Sequence, residues 1–291
     1  MSGEIWALLS AATWAVDSIL VRKGTKFSNA STAAFVSFLV SVLFLVPFMF
    51  LRFPRENIFH SGNLYFVASG VIQPAMVRVL FYMGIIRLGV SRAGPLRGTA
   101  PLFTMVLAFF ILSEQPGLWV YAGAVLTVLG TWLVSYRREG EANWRTIDIL
   151  FPLGAALLAS VSQNIRKLGL LTVDEPFIAS TVSSATSFLC LLISLTVSRQ
   201  IGSLKFRGGC LPYYGVAAVF ALVGQLLNFH ALHAGEVSVV SPILNTTPLF
   251  IIIFTAMFLR GEEKITRWVV IGSIMLVSGS RGDHCEIACR V

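Results

Sequence analysis

The chain has 291 residues, of which 56% are hydrophobic and 12% are charged, and its mean hydropathy is +0.79. A soluble domain of this length needs far more polar surface, so the composition excludes one and predicts an integral membrane protein. The formal net charge of +8 does not indicate nucleic acid, because Lys and Arg in the connections of a membrane protein account for it.

The apolar runs are continuous, which predicts transmembrane helices. A span needs about 20 residues, and ten runs meet or approach that length: 4–21, 29–51, 64–86, 90–112, 117–136, 149–166, 176–198, 211–233, 238–259 and 266–280. The longest polar connection, 136–148, separates two sets of five. We therefore expect two five-helix repeats, residues 1–140 and 141–291.

A motif in the fourth span recurs in the ninth. Ser91, Pro95, Pro101, Leu102 and Phe103 have the same spacing as Ser238, Pro242, Pro248, Leu249 and Phe250. Proline removes a backbone donor, so Pro95, Pro101, Pro242 and Pro248 are predicted to break their helices. Paired interruptions in two halves of a membrane protein point to the binding centre of a transporter.

Other matches follow the same order in both halves. Glu114 and Glu263 precede the fifth and tenth spans and are expected to cap helix ends. In spans one and six, Gly24 and Gly169 each follow a pair of basic residues. Several ordered matches predict an internal duplication, and five helices per repeat predict that the two repeats are inverted.

Together these features resemble the EamA-type ten-helix family of the drug/metabolite transporter superfamily. The resemblance rests on the aromatic third span ending near Gly89 and Ser91, the proline-bearing fourth span, the Glu turn and a fifth span with Gly123 and Gly130. It implies an all-α, multi-pass protein of the cell membrane, with two inverted five-helix repeats. It also implies transport of small metabolites, amino acids or drugs by alternating access, without enzymatic activity.

This chain departs from the family pattern at two places. Glu236 stands where a small residue is usual, and the tail after Ser280 does not resemble the end of a tenth helix. Family members usually keep both termini in the cytoplasm, whereas most Lys and Arg lie in the odd-numbered connections, which predicts termini outside it. The orientation stays open.

Asp17 is the only acidic residue in the interior of a predicted span; Glu4 is the first residue of that span. It shares a helical face with Ser10 and Trp14, so Trp14 and Asp17 are predicted to contact substrate. A carboxylate at membrane depth can also load and release a proton, which makes Asp17 a candidate for proton coupling. Alternatively, Asp17 lies near the helix end and is solvated or paired with Arg22 or Lys23.

Arg78 lies near the middle of the third span, one turn before Tyr82, and Gln225 and Asn228 occupy the matching region of the eighth span. An arginine within the membrane needs an anion, carbonyls or water, so these four residues are predicted to contact substrate. The alternative is an internal ion pair between Arg78 and Asp17.

Arg97 lies between the prolines of the fourth span, and Asn245 occupies the corresponding region of the ninth. Carbonyls freed by the prolines would line a cavity there, so both residues are predicted to contact substrate. Snorkelling of Arg97 towards Arg92 is the alternative. His230 is either a proton-coupling group beside Asn228 or a packed, hydrogen-bonded histidine.

No cofactor or metal is expected. His284, Cys285 and Cys289 lie close together but lack a fourth ligand. Polar residues expected to hold helices together rather than bind a ligand are Gln73, Gln163 and Asn164. The expected partners are a small-molecule substrate, the lipid bilayer and, as one option, a second copy of the chain; nucleic acid is not expected.

Three functions are compared. The first is a secondary active transporter of a small anionic or zwitterionic metabolite, because two intramembrane arginines accompany one aspartate. The second is a proton-coupled exporter of hydrophobic cationic drugs, with Asp17 as the exchanged site. The third is a membrane-embedded enzyme acting on lipids, which would need clustered His, Asp, Glu or Lys; the spans contain no such cluster.

Overall fold

The computed structural model of the chain describes residues 2–88, 90–135, 145–206 and 208–258. The regular structure of these residues is entirely helical. Its α-helices are, in order, α1 (Gly3–Gly24), α2 (Ala30–Arg52), α3 (Arg55–Ile58), α4 (Asn63–Gly70), α5 (Val77–Leu88), α6 (Val90–Arg97), α7 (Ala100–Leu112), α8 (Leu118–Ser135), α9 (Leu150–Val173), α10 (Pro176–Val197), α11 (Leu211–Ala234), α12 (Val237–Leu244) and α13 (Thr247–Phe258).

The helices lie where the apolar runs predicted spans. Within the described residues, five helical segments are long and apolar enough to cross a membrane: α1, α2, α10, α11 and Thr146–Val173, which contains α9. The third, fourth and ninth spans each consist of two shorter helices. The prediction of an all-helical, multi-pass membrane protein is confirmed; the tenth span, 266–280, lies outside the described residues.

The third span is interrupted between α4 and α5. Gln73 has an extended backbone, with φ −124° and ψ 118°, because the residue before a proline is disfavoured in the helical region. Pro74 cannot donate to the carbonyl of Gly70, four residues earlier. The Ser187 hydroxyl of α10 instead donates to that carbonyl, at 3.3 Å.

The fourth and ninth spans are interrupted at matching positions. Two residues separate α6 from α7 and α12 from α13. Pro101 and Pro248 are the second residues of α7 and α13. A helix begins readily at such a proline, since the missing N–H would have no intrahelical partner there.

Pro95 and Pro242 lie inside α6 and α12. The prediction that these two prolines break their helices is therefore corrected: the interruptions come after Arg97 and Leu244. A proline within a helix removes one backbone hydrogen bond, and the remaining bonds of each short helix are sufficient to continue it.

The chain forms two compact units. Unit 1 consists of Met1–Val71 and Ile165–Ala234, and unit 2 of Ile72–Asn164 and Gly235–Val291. Each unit therefore takes segments from both predicted repeats. The repeat boundary near residue 140 stays a sequence prediction.

The core of unit 1 is a close contact between α1 and α11. The Ser10 hydroxyl donates to the carbonyl of Gly224 at 2.8 Å. A Cβ at Gly224 would lie only 2.8 Å from Thr13 Oγ1, so this approach requires glycine. Small residues let membrane helices pack this closely, and those fully buried on the two helices include Ala7, Ala11, Ala15, Ala217 and Ala218.

The core of unit 2 lies between α5, α7 and the first part of α9. Val77 packs against Ala155 and Ala159. The Ser160 hydroxyl of α9 donates to the carbonyl of Ala100 at the start of α7, at 2.8 Å. The first turn of α7, directly after the interruption, is thus attached to a neighbouring helix.

Candidate functional site

The polar face of α1 places Asp17 in the helix interior. α1 continues to Gly24, two turns beyond Asp17, so the carboxylate is not at a solvated helix end. Asp17 is half-buried, and its Oδ1 is buried without a hydrogen-bond partner among the described residues. Trp14 lies on the same helix, with its indole Nε1 beside Gly224.

The facing helix α11 carries a second acceptor without a partner. Asn228 is 7% exposed, and its Oδ1 makes no hydrogen bond within the described part of the chain. Gln225 is half-buried on α11. The ring of His230 packs against Trp6 of α1, with 5.4 Å between the ring centroids.

Arg166 is a further charged residue in unit 1. It is 4% exposed, and its guanidinium carbon lies 5.1 Å from the centroid of the Phe229 ring. A cation over an aromatic face is attracted by the ring quadrupole. The Nε of Arg166 is nevertheless buried with no acceptor among the residues described.

Sequence reasoning missed Arg166 because the sixth span was predicted to end at residue 166. α9 instead continues to Val173, so the arginine lies about two turns inside the helix rather than at its end. The repeat does not single it out: Arg166 and Lys167 stand three and two residues before Gly169, whereas Arg22 and Lys23 stand two and one residues before Gly24. The basic position that recurs, two residues before the glycine, is occupied by Arg22 and Lys167.

Five buried side-chain atoms of unit 1 have no hydrogen-bond partner within the described residues: Asp17 Oδ1, Asn63 Oδ1, Arg166 Nε, Ser180 Oγ and Asn228 Oδ1. Three of them, on the long helices α1, α9 and α11, are the candidate binding groups. Asp17 Oδ1 on α1 and Asn228 Oδ1 on α11 need donors, whereas Arg166 Nε on α9 needs an acceptor. A buried polar group without a partner costs roughly 1–3 kcal/mol. A ligand group that supplies the missing donor or acceptor at one of these atoms would remove that cost.

The other predicted site residues belong to unit 2. Arg78 and Tyr82 lie on α5, and their side chains are outside the described part of the structure. Arg97 is the last residue of α6 and is half-buried. Asn245 directly follows α12, and its Nδ2 donates to the carbonyl of Ser241 at 2.9 Å.

The hydrogen bond of Asn245 gives this residue a structural role at the end of α12. The same carbonyl also accepts from the backbone N–H of Asn245 at 3.2 Å, so Asn245 closes the helix with two hydrogen bonds. Asn164 acts similarly between α9 and α7, donating to the carbonyls of Ser160 at 2.9 Å and Thr104 at 3.3 Å. Its Oδ1 and the Oε1 of Gln163 have no partner among the described residues.

No group of three or more His, Cys, Asp or Glu residues that could hold a metal occurs within the described residues. His284, Cys285 and Cys289 lie outside them. The described polar groups of unit 1 include no cluster of acids and bases of the kind a hydrolytic site needs.

The sequence pattern of the EamA-like transporter family matches residues 1–136 and 146–281. An uncharacterized transporter of Archaeoglobus fulgidus is 28% identical over 276 residues, covering 94% of this chain and 94% of the relative. An uncharacterized transporter of Synechocystis sp. is 23% identical over 263 residues, covering 82% and 76% of the two chains. A solved crystal structure of a protein shares the fold, with a TM-score of 0.77 and 12% identity over 96% of this chain and 95% of the other.

Proposed function

The chain belongs to the EamA-like transporter family, and on that premise we propose that it carries a small anionic or zwitterionic metabolite across the membrane by alternating access. It is a multi-pass membrane transporter, and its sequence contains no nucleotide-binding loop of the Walker type. The proposed energy source is accordingly a gradient of an ion or of a second solute.

The observation that carries this proposal is the chemical complementarity of the three polar atoms in unit 1. Arg166 Nε is a buried cationic donor, and it suits a carboxylate or phosphate oxygen. Asp17 Oδ1 and Asn228 Oδ1 are acceptors, and they suit an ammonium or hydroxyl group. A zwitterion such as an amino acid supplies both kinds of partner, and Arg166, which lies over the ring of Phe229, is close along the fold to the acceptor of the preceding residue, Asn228.

A second candidate is favoured by Asp17 alone. A proton-coupled exporter of hydrophobic cations needs one buried carboxylate that exchanges a proton for the drug. Asp17 lies beside Trp14 on α1, and its buried Oδ1 has no partner in the described structure. The buried guanidinium of Arg166 opposes this candidate, because a cationic substrate gains nothing from it.

The two candidates are separated by thermal unfolding of the detergent-purified protein with a panel of amino acids, organic acids, sugar phosphates and quaternary ammonium compounds. A ligand that binds the folded state raises the midpoint temperature by mass action. We expect a zwitterion or anion to stabilise wild type. The same ligand should bind Arg166→Gln with at least tenfold lower affinity, since a charged hydrogen bond contributes roughly 1.5–3 kcal/mol.

The matched control is Arg87→Gln. Arg87 lies in unit 2, and its side chain is 52% exposed in an ion pair with Asp148, so this variant should respond to ligand like wild type. Stabilisation by quaternary ammonium compounds alone, abolished in Asp17→Asn and retained in Arg166→Gln, would favour the exporter and contradict the metabolite proposal.

A further inference from the structure

One end of unit 1 is built from two connections that hydrogen bonds hold together. The α1–α2 connection meets the α10–α11 connection through Ser28 Oγ, which donates to the carbonyl of Lys205 at 2.6 Å. Asn29 Nδ2 donates to the carbonyl of Ser203, also at 2.6 Å. The backbone N–H of Lys205 in turn donates to Thr32 Oγ1 at 2.9 Å.

The first residues of α11 complete this attachment. The Tyr214 hydroxyl donates to the carbonyl of Asn29 at 3.1 Å, and the rings of Phe27 and Tyr213 stack with centroids 6.3 Å apart. The two connections therefore present their outward side chains as one surface. We call this surface, formed by residues 22–29 and 199–206, the basic end of unit 1.

Every charged residue of the basic end is a cation. Arg22, Lys26, Arg199 and Lys205 are exposed, and Lys23 is half-buried. The sequence contains no Asp or Glu at 22–32 or at 198–214. Because these stretches lie side by side, their positive charges add to a single local potential.

Large apolar side chains are exposed among these cations. Phe27, Ile201 and Phe206 have 46%, 50% and 51% of their surface exposed. They lie at the ends of α1, α2, α10 and α11, which are all long and apolar enough to cross a membrane. Aromatic side chains at that level belong to the boundary between hydrocarbon and headgroups.

The opposite end of unit 1 differs in charge. There, α2 ends at Arg52 and α10 begins at Pro176, and the rings of Phe53 and Phe177 stack with centroids 5.4 Å apart. The charged residues of this end have both signs; they include Arg52, Arg55, Glu56, Asp174 and Glu175. Uniform positive charge is thus a property of one end of the unit.

We propose that the basic end of unit 1 binds the headgroups of anionic phospholipids. Its lysines and arginines would contact headgroup phosphates, while Phe27 and Phe206 would lie at the top of the acyl chains. Clusters of four or more basic residues beside a membrane helix are attracted to anionic lipid surfaces. Since the same surface joins α1–α2 to α10–α11, bound lipid would stabilise the folded unit.

The test uses the detergent-purified full chain and mixed micelles containing either phosphatidylglycerol or phosphatidylcholine. We expect phosphatidylglycerol to raise the midpoint of thermal unfolding and phosphatidylcholine to have a smaller effect. The variant Lys26→Gln/Arg199→Gln/Lys205→Gln should bind phosphatidylglycerol roughly tenfold or more weakly, because each basic residue contributes separately to the attraction. The variant with Lys26→Arg and Lys205→Arg should retain wild-type binding.

The matched control is Arg52→Gln/Arg55→Gln at the opposite end, which should keep the wild-type response to phosphatidylglycerol. Equal stabilisation by the two lipids, or an undiminished response in the triple variant, would overturn the proposal. So would an equal loss in the control. Glycerol phosphate and inorganic phosphate are tested separately, and a full response to either would assign the surface to a soluble anion instead.

A salt titration of wild type covers the case in which the triple variant does not fold. Exposed charge interactions are screened as ionic strength rises, so the response to phosphatidylglycerol should fall steeply between low and high NaCl concentration. A response that is independent of salt would overturn the proposal without any variant.

Discussion

At the scale of single residues, unit 1 leaves five buried polar atoms without partners within the described structure, and three of them, Asp17 Oδ1, Asn228 Oδ1 and Arg166 Nε, are the proposed site. Their cost to stability indicates a role in binding. Asp17 could be identified from sequence because it is the only acidic residue in the interior of a predicted span. Arg166 could not, because hydropathy places helix ends only to within a few residues and α9 continues well past the apolar run.

Replacing Arg166 by Met tests whether the arginine is retained for binding. Methionine is unbranched and flexible, so it keeps much of the volume of the arginine side chain and its contact with Phe229. It removes the buried charge. Exchange of buried charges for apolar groups is often neutral or stabilising. We expect the ligand-free variant to melt at or above the wild-type midpoint temperature while losing its response to substrate.

Arg87→Met serves as the control for this variant, since the Arg87 side chain is 52% exposed and its buried partner Asp148 keeps the backbone N–H of Arg145 as a donor at 2.9 Å. Thermal unfolding of both variants without ligand provides the measurement. A ligand-free Arg166→Met protein that is destabilised by more than about 1 kcal/mol would show that the arginine has a structural partner instead.

At the scale of helices, Glu114 connects the end of α7 to the start of α12. Its side chain is buried, and its carboxylate accepts from the backbone N–H groups of Val237 at 2.9 Å and Ser238 at 3.0 Å. The Ser238 hydroxyl adds a third bond at 2.7 Å. A carboxylate at a helix N-terminus satisfies open N–H groups and interacts favourably with the helix dipole.

The sequence predicted a capping role for Glu114, but it could not identify the helix that is capped. The acceptor and its donors are 123 residues apart, and their pairing depends on the tertiary fold. The same limit applies to the interruption of the fourth and ninth spans. The prolines predicted that each span is interrupted. The interruption lies just before Pro101 and Pro248, because its position depends on where the next helix can begin.

Replacing Glu114 by Gln should destabilise the protein by about 1–3 kcal/mol, because one acceptor becomes a donor that faces N–H groups. Ser238→Ala removes only one of the three bonds and should cost less. Since the two side chains touch, the double variant should show a coupling of roughly 0.5–3 kcal/mol in unfolding free energy.

The control for the capping variants is Glu56→Gln, on the exposed surface of α3, which should change stability by no more than about 0.5 kcal/mol. Additive effects of Glu114→Gln and Ser238→Ala would contradict the capping interaction. Equal destabilisation in Glu56→Gln would show that the effect is not specific to α12.

At the scale of the whole molecule, hydropathy was sufficient to predict where the helices lie but not which helices pack together. Each apolar run has to be helical to satisfy its backbone in lipid, so span positions follow from the sequence. The two compact units combine early and late segments. That grouping depends on contacts such as Ser10 with Gly224, 214 residues apart, which no local pattern encodes.

The whole-molecule claim is that this chain transports the solute that its polar groups bind. The most direct measurement is counterflow in proteoliposomes loaded with a zwitterion or anion that stabilises the purified protein. We predict saturable uptake of the labelled solute by wild type and by Arg87→Met, and no uptake above protein-free liposomes by Arg166→Met. Equal uptake by Arg166→Met, or no counterflow of any stabilising solute by wild type, would contradict the account.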